Sequence, residues 1–180
     1  MRVFFAIEFN QEVKDRLFKV QQELRKYCIG GNYSHKENFH LTLRFIGEQN
    51  PEQLQKLVST LHNTTQGATG FGLVIDKLGT FNKGSKKIIW AGLDRSSELQ
   101  YLYGKLEGAL ENICYPREQK VYSPHVTLIR ETRLEHSTEG FESIGFDKIH
   151  IQVGAISLME SKRVDNRLTY SAISRVDLHG

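Results

Sequence analysis

Cysteine is scarce in this chain: two residues in 180, Cys28 and Cys114. Two cannot build the disulfide framework by which small secreted domains make up for a thin core, and both read as buried, reduced thiols. Long apolar runs are missing too, since nothing approaches the roughly 18–20 residues that a membrane-crossing helix needs. The opening "MRVFFAIEFN" carries one basic residue, meets an acid at Glu8 and lacks a small-residue cleavage site. It reads as a first strand rather than a signal peptide, which with the reduced cysteines gives an expected cytoplasmic location and no membrane contact. Neither sign of charge dominates. The net charge of +3 leans toward anionic partners but falls far short of the basic stripe of a duplex-DNA binder. A small anion or a short single strand needs only a few local cations. Glycine-rich phosphate loops of the GxxxxGK[ST] and GxGxxG kinds are absent, and no motif supports a serine or cysteine nucleophile.

With 39% hydrophobic and 25% charged residues, the chain is long enough for one globular domain with a substantial core. It also reads as written twice. Residues 2–9 form a compact apolar strand, and Val13, Leu17, Val20 and Leu24 follow at helical spacing behind Asn10, a suitable N-cap. A loop rich in Gly, Asn and Ser leads to the strand "FHLTLRFIG". Pro51 marks a helix start, with Leu54, Leu57, Val58 and Leu61 on one face. A polar loop over 62–70 precedes the extended stretch "FGLVIDKLGTF". Then "KIIWAGLD" begins a second round, its Ala91 lying 85 residues after Ala6. A helix with Leu99, Leu102, Leu106, Leu110 and Ile113 follows, and a loop holding Pro116 precedes "YSPHVTLIR". After a polar stretch at 131–145, two strand-like runs close the chain, "HIQVGAISLME" and "RLTYSAISRVDL". The expected organisation is a single bilobal domain with an internal repeat of about 1–84 and 85–180.

The repeat carries chemistry. His40 and Thr42 in the first half recur 85 residues later as His125 and Thr127. One His-x-Thr is readily a strand's outer face, because Thr favours strands and His tolerates partial burial. Two in register are hard to explain by packing, which seldom needs the same two polar types twice. On a strand, residues i and i+2 share a face about 6.5–7 Å apart, so each pair can hold one tetrahedral anion between an imidazole and a hydroxyl. Two such strands face to face provide a base on one side of a phosphorus and an acid on the other, as in-line displacement requires. Imidazoles titrate near pH 6.5, so a neutral and a protonated ring can coexist near neutrality. Two histidines without a third His, Cys or carboxylate at ligand spacing make a poor zinc site, and the threonines have no part in one. No metal and no cofactor are expected.

These motifs resemble those of the 2H phosphoesterase superfamily, and most of all its RNA 2′,3′-cyclic phosphodiesterase branch, also called LigT-like or 2′-5′ RNA ligase. The likeness runs nearly end to end: "RVFFAIEF", "ENFHLTLRFIGE", "LGTFNKGSKKIIWAGL", "YSPHVTLIRE", "ISLMESK" and "LTYSAIS" are each similar to the corresponding family segment. It implies an α+β fold of two pseudo-symmetric lobes of antiparallel sheet flanked by helices, with a central cleft carrying both motifs. Strands in such folds can cross between lobes. It further implies metal-independent hydrolysis of an RNA 2′,3′-cyclic phosphate to a 2′-phosphate end, with RNA ends or small nucleotides as substrates; a monomer is expected, although the sequence gives no handle on oligomeric state. His40 resembles the general acid, His125 the general base, and Thr42 and Thr127 the phosphate-binding hydroxyls. Arg130 stands where an arginine often follows the second motif. In a regular strand, its five-residue distance from His125 would turn it to the opposite face. Arg44 has the right parity beside His40, but Ile129 takes its place in the second motif. Where relatives commonly carry an Arg-Trp pair, this chain has Asn32 and Tyr33. Phe45 alternates with Leu43 onto the core face. His35, His62, His136, His150 and His179 read as surface residues. Tyr170 and the run Glu160–Arg163 are candidates for the cleft wall, the run reading better as a solvated loop. Two other readings remain: a 2′-5′ RNA ligase working by the reverse reaction, and a non-catalytic binder of RNA ends.

Overall fold

The computed structural model describes residues 1–135 and 144–180; His136 and part of the polar stretch 131–145 lie outside the described residues. The elements run β1 (Arg2–Glu8), α1 (Gln11–Leu24), β2 (Cys28–Ile29), β3 (Asn32–Tyr33), β4 (His40–Glu48), α2 (Pro51–Thr65) and β5 (Phe71–Lys83). They continue with β6 (Lys86–Leu93), α3 (Ser97–Glu111), β7 (His125–Leu134), β8 (Ile149–Val153), β9 (Ala155–Val164) and β10 (Arg167–Asp177). Local chemistry sets the helix starts. The Asn10 side chain accepts from Val13 N at 2.9 Å. Asn50 and Gln53 form a reciprocal capping box ahead of Pro51, which needs no N–H at that position. Helix α2 continues to Thr65, through the start of the expected loop, where the Thr65 hydroxyl donates back to the Leu61 carbonyl at 2.8 Å.

Two antiparallel sheets result, ordered β10-β9-β1-β4 and β2-β7-β6-β5-β8, with β3 also paired to β7. This is the α+β, two-sheet architecture expected of the sequence. Sheet membership does not follow chain order. β5 joins the second sheet, while β9 and β10 return to the first. The run "HIQVGAISLME" is two strands, not one, divided at Gly154: β8 pairs with β5, and β9 with β1. Helix α1 packs on β7 and β8, α2 on β9 and β10, and α3 on α2, leaving the opposite sheet faces to form a cleft. Strands β4 and β7 lie beside one another at the junction. Their inward residues Leu41, Leu43, Val126 and Leu128 are at most 3% exposed. Each such burial stabilises by roughly 1.5–3 kcal/mol, which anchors strands whose other face is polar.

A register slip immediately after each motif decides which side chains reach the cleft. Against β1, Thr42 pairs with Ala6 but Arg44 with Phe5, leaving Leu43 as an extra residue. Against β6, Thr127 pairs with Trp90 but Ile129 with Ile89, leaving Leu128 extra. An extra residue inverts parity beyond it. Arg44 and Ile129 therefore turn to the helix-covered side, and Phe45 and Arg130 turn away from it. The alternation that places Phe45 in the core fails for this reason: Phe45 is 46% exposed, with the Arg2 guanidinium 4.9 Å from its ring centroid, while Ile46 packs on the core. The opening strands also differ in register. Ala6 lies beside Phe4 and Met159, whereas Ala91 belongs to the main core. Of the cysteines, Cys28 is partly buried but Cys114 is exposed, at a left-handed φ of 69° just after α3. Among the described residues no helix is long and apolar enough to cross a membrane.

Candidate active site

His40 and Thr42 on β4 and His125 and Thr127 on β7 line a single cleft of about 690 Å³. Both imidazoles are held in the same way. His40 Nδ1–H donates to the Asn38 carbonyl and His125 Nδ1–H to the Ser123 carbonyl, each at 2.7 Å and two residues back. A carbonyl oxygen only accepts, so the proton is fixed on Nδ1 and the Nε2 lone pair is free to act as a base. His40 Nε2 lies 2.9 Å from the Thr42 hydroxyl, which donates to it while the ring is neutral.

Aromatic rings wall each imidazole. Phe4 and Tyr170 lie 4.9 and 5.0 Å from His40, Tyr170 edge-on at 90°. Phe81 stands edge-on to His125 at 4.9 Å, with Trp90 at 6.1 Å. Gly79, directly across from Trp90, makes room for the indole: a Cβ there would come within 2.3 Å of the ring. Of these four aromatics only Tyr170 is a candidate from sequence. Phe4, Phe81 and Trp90 sit in apolar strands where a wall and a core residue look alike.

Protein surrounds most of the His40 ring, and this burial pushes its pKa down to about 4. The Asn38 hydrogen bond and the Glu8 carboxylate act in the opposite direction, while Arg130 and His125 add to the lowering. Burial also lowers the His125 pKa, and Arg130 contributes. The two rings differ in what stands across the ladder: Glu8 faces His40, but Gly92 faces His125.

Arg130 lines the cleft, with Nη2 3.5 Å from the Thr127 hydroxyl, because the slip at Leu128 brings it to the face of His125. Arg44 is carried the other way. Its Nε pairs with buried Glu107 at 2.8 Å, its Nη1 with Glu118 at 2.7 Å, and its Nη2 donates to the Pro116 carbonyl at 2.7 Å. It ties β4 to α3 and the following loop, and does not line the cleft. Asn32, Tyr33 and His35 form one rim, where the Arg25 guanidinium covers the Tyr33 ring at 4.3 Å. The run Glu160–Arg163 belongs to β9 and not to a loop, and Arg163 reaches the opposite rim. His62, His150 and His179 are exposed.

Two residues that sequence reading passes over brace the motifs. Buried Gln21 on α1 donates through Nε2 to the Ser34 and Leu128 carbonyls, both at 2.8 Å, clamping the rim segment to β7. The Tyr122 hydroxyl donates to the Thr42 carbonyl at 3.0 Å, joining the approach to β7 with β4. A polar residue on the inner face of α1 was the available signal for Gln21. Among the described residues, no group of three or more His, Cys, Asp or Glu could hold a metal ion.

Comparison with known proteins gives a consistent relationship. The family model described as LigT like Phosphoesterase matches residues 7–90. The chain is 28% identical over 182 residues to the RNA 2′,3′-cyclic phosphodiesterase of Thermotoga maritima, covering 100% of this chain and 97% of that protein. It is 25% identical to the protein of the same name from Methanocaldococcus jannaschii, covering 96% and 98%. Among solved structures, TT0787 of Thermus thermophilus has a TM-score of 0.81 at 22% identity, covering 100% of this chain and 99% of its own. Escherichia coli LigT in its apo form has a TM-score of 0.78 at 22% identity, covering 99% and 98%.

Proposed function

We propose that this chain is a LigT-like phosphoesterase of the 2H superfamily and that it hydrolyses RNA 2′,3′-cyclic phosphate ends to 2′-phosphomonoesters by two-histidine acid–base catalysis. The observation that carries the reading is the pair of Nδ1-anchored imidazoles, each with its threonine, lining one cleft with Arg130. The full-length relatives named RNA 2′,3′-cyclic phosphodiesterase support the substrate class, as does the structure of Escherichia coli LigT in complex with 3′-AMP.

The cyclic phosphate sits between the rings. His125 Nε2 takes a proton from water as its oxygen attacks phosphorus. The P–O3′ bond breaks, and His40 Nε2–H protonates the departing O3′, leaving a 3′-hydroxyl and a 2′-phosphate. Thr42, Thr127 and Arg130 donate to the equatorial oxygens, where charge is greatest in the transition state. Burial alone makes His125 the easier ring to protonate, the reverse of these roles. Two influences oppose it at His40: the Glu8 carboxylate across the ladder, and the bound phosphate anion, which also offsets Arg130. At His125 the cross-strand partner is Gly92, with no charge to hold a proton.

The test uses an oligonucleotide ending in 2′,3′-cyclic phosphate, with EDTA present, and wild type, His40→Ala and His125→Ala. Wild type yields the 2′-phosphate, and each variant loses about 10²–10⁴ in kcat. A second substrate, with sulfur in place of O3′, separates the roles. A thiolate leaves without protonation (thiol pKa about 8.5), so this substrate restores His40→Ala and not His125→Ala. The opposite pattern of rescue would exchange the two assignments. Activity abolished by EDTA, or binding without turnover, would defeat the proposal.

A further inference from the structure

The cleft extends beyond what a cyclic phosphate fills. At about 690 Å³ it lies in the range of roughly 300–1,000 Å³ that holds a whole small ligand. One wall is the tip of the β9–β10 hairpin, represented by Arg163, Asn166, Arg167 and Leu168. This tip is well determined by its chemistry. Asp165 and Asn166 take φ of 48° and 61°, the left-handed pair that closes a two-residue hairpin turn and that Asn and Asp tolerate best. Arg163 Nη1 donates to the Asn166 carbonyl at 3.2 Å, folding that side chain against the turn. The tip is also tied to the catalytic strand. Asn38, whose carbonyl orients His40, donates through Nδ2 to the Leu168 carbonyl at 2.7 Å.

Charge distinguishes this wall. Among the described residues no carboxylate lines the cleft, and neither Arg163 nor Arg167 makes an ion pair with them, although neighbouring Lys162 does so with Glu160 at 3.2 Å. Arg130 serves the reacting phosphate, so two further guanidinium-bearing residues stand on one hairpin turn of the cleft wall. Guanidinium forks match phosphate oxygens. In an RNA end, the negative charge nearest the cyclic phosphate is the phosphodiester on the 5′ side of the same nucleotide.

We infer that Arg163 and Arg167 on the β9–β10 hairpin form a second phosphate site, which takes the 5′-side phosphodiester of the terminal nucleotide and so selects oligonucleotide ends over cyclic mononucleosides. The inference rests on the hydrolase reading above and extends it along the substrate.

The test compares a nucleoside 2′,3′-cyclic phosphate that has no 5′-phosphate with a short oligonucleotide ending in the same nucleotide. Wild type favours the oligonucleotide by about tenfold or more in kcat/KM. Arg163→Ala/Arg167→Ala removes most of that preference through KM. In the double variant, the slope of log binding constant against log salt for the oligonucleotide is smaller by about 0.7, the share of one single-strand phosphate. Equal efficiency of wild type on the two substrates overturns the inference, as does a double variant that loses both activities in the same proportion. The same comparison runs without turnover, using wild-type affinity for an oligonucleotide ending in 2′-phosphate against the nucleoside 2′-phosphate. Absence of hydrolysis with oligonucleotide preference retained thus counts against the hydrolase reading alone. Absence of preference in this binding measurement counts against the second site.

Discussion

Each imidazole of the pair is oriented by a carbonyl two residues earlier in its own strand approach, and each presents Nε2 to the cleft. Their chemical difference comes from neighbours: burial and Arg130 act on both, but a carboxylate stands opposite only His40. Glu8→Gln keeps the shape of that residue and removes its charge. Its expected effect is a fall in kcat of roughly tenfold or less, with the alkaline limb of the kcat profile moved to lower pH. A purely structural role for Glu8, which also accepts a hydrogen bond from Ser157, would leave that limb in place. Because both imidazoles lie below the usual value of 6.5, the alkaline limb of the kcat/KM profile, which reports the free protein, lies below about pH 6.5, and kcat/KM falls as pH rises through it. The kcat profile extends higher, since bound phosphate favours the protonated ring. Macroscopic values from either profile belong to the pair.

At the scale of elements, strands β4 and β7 combine a period of two with an extra residue, Leu43 or Leu128, placed just after the motif, and each slips once more further along. Through this device Arg130 joins the site and Arg44 leaves it. Helix α1 fixes β7 in place by one buried amide. Replacing Gln21 by Leu leaves the Ser34 carbonyl short of a partner, while the Leu128 carbonyl still accepts from Ser34 N at 2.9 Å. The expected destabilisation is about 1–3 kcal/mol, read as a lowered urea midpoint. Gln21→Glu should cost more, since it sets a buried negative charge against two carbonyl oxygens.

The whole molecule stores part of its pH sensitivity in the cleft. His40 titrates near 4 in the folded protein and near 6.5 unfolded, so between those values the unfolded chain binds more protons than the native one. The stability contributed by the neutral ring is complete above about pH 6.5 and declines as pH falls toward 4. His125 acts in the same direction. A His40→Gln/His125→Gln variant should therefore lose less stability than wild type between pH 7 and pH 5, as measured by denaturant midpoints at the two values. A wild type and variant that lose stability in parallel would place the acid sensitivity elsewhere.

The sequence by itself determined the strand and helix periods, the cap at Asn10, the helix start at Pro51, and the 85-residue recurrence of His-x-Thr that points to the chemistry. These are legible because they depend on neighbours a few residues apart. Tertiary structure alone decided which sheet receives β5, β8 and β9, which of Arg44 and Arg130 lines the cleft, and which side of β4 Phe45 occupies. It also decided that Arg44 pairs with Glu107 and Glu118, and that Glu8 rather than a repeat-matched residue stands opposite His40. Those outcomes turn on the extra residue just after each motif and on partners many residues away. A slip of one position reverses the side chains that follow it, up to the next slip, without disturbing the hydrophobic alternation that a reading of the sequence can follow.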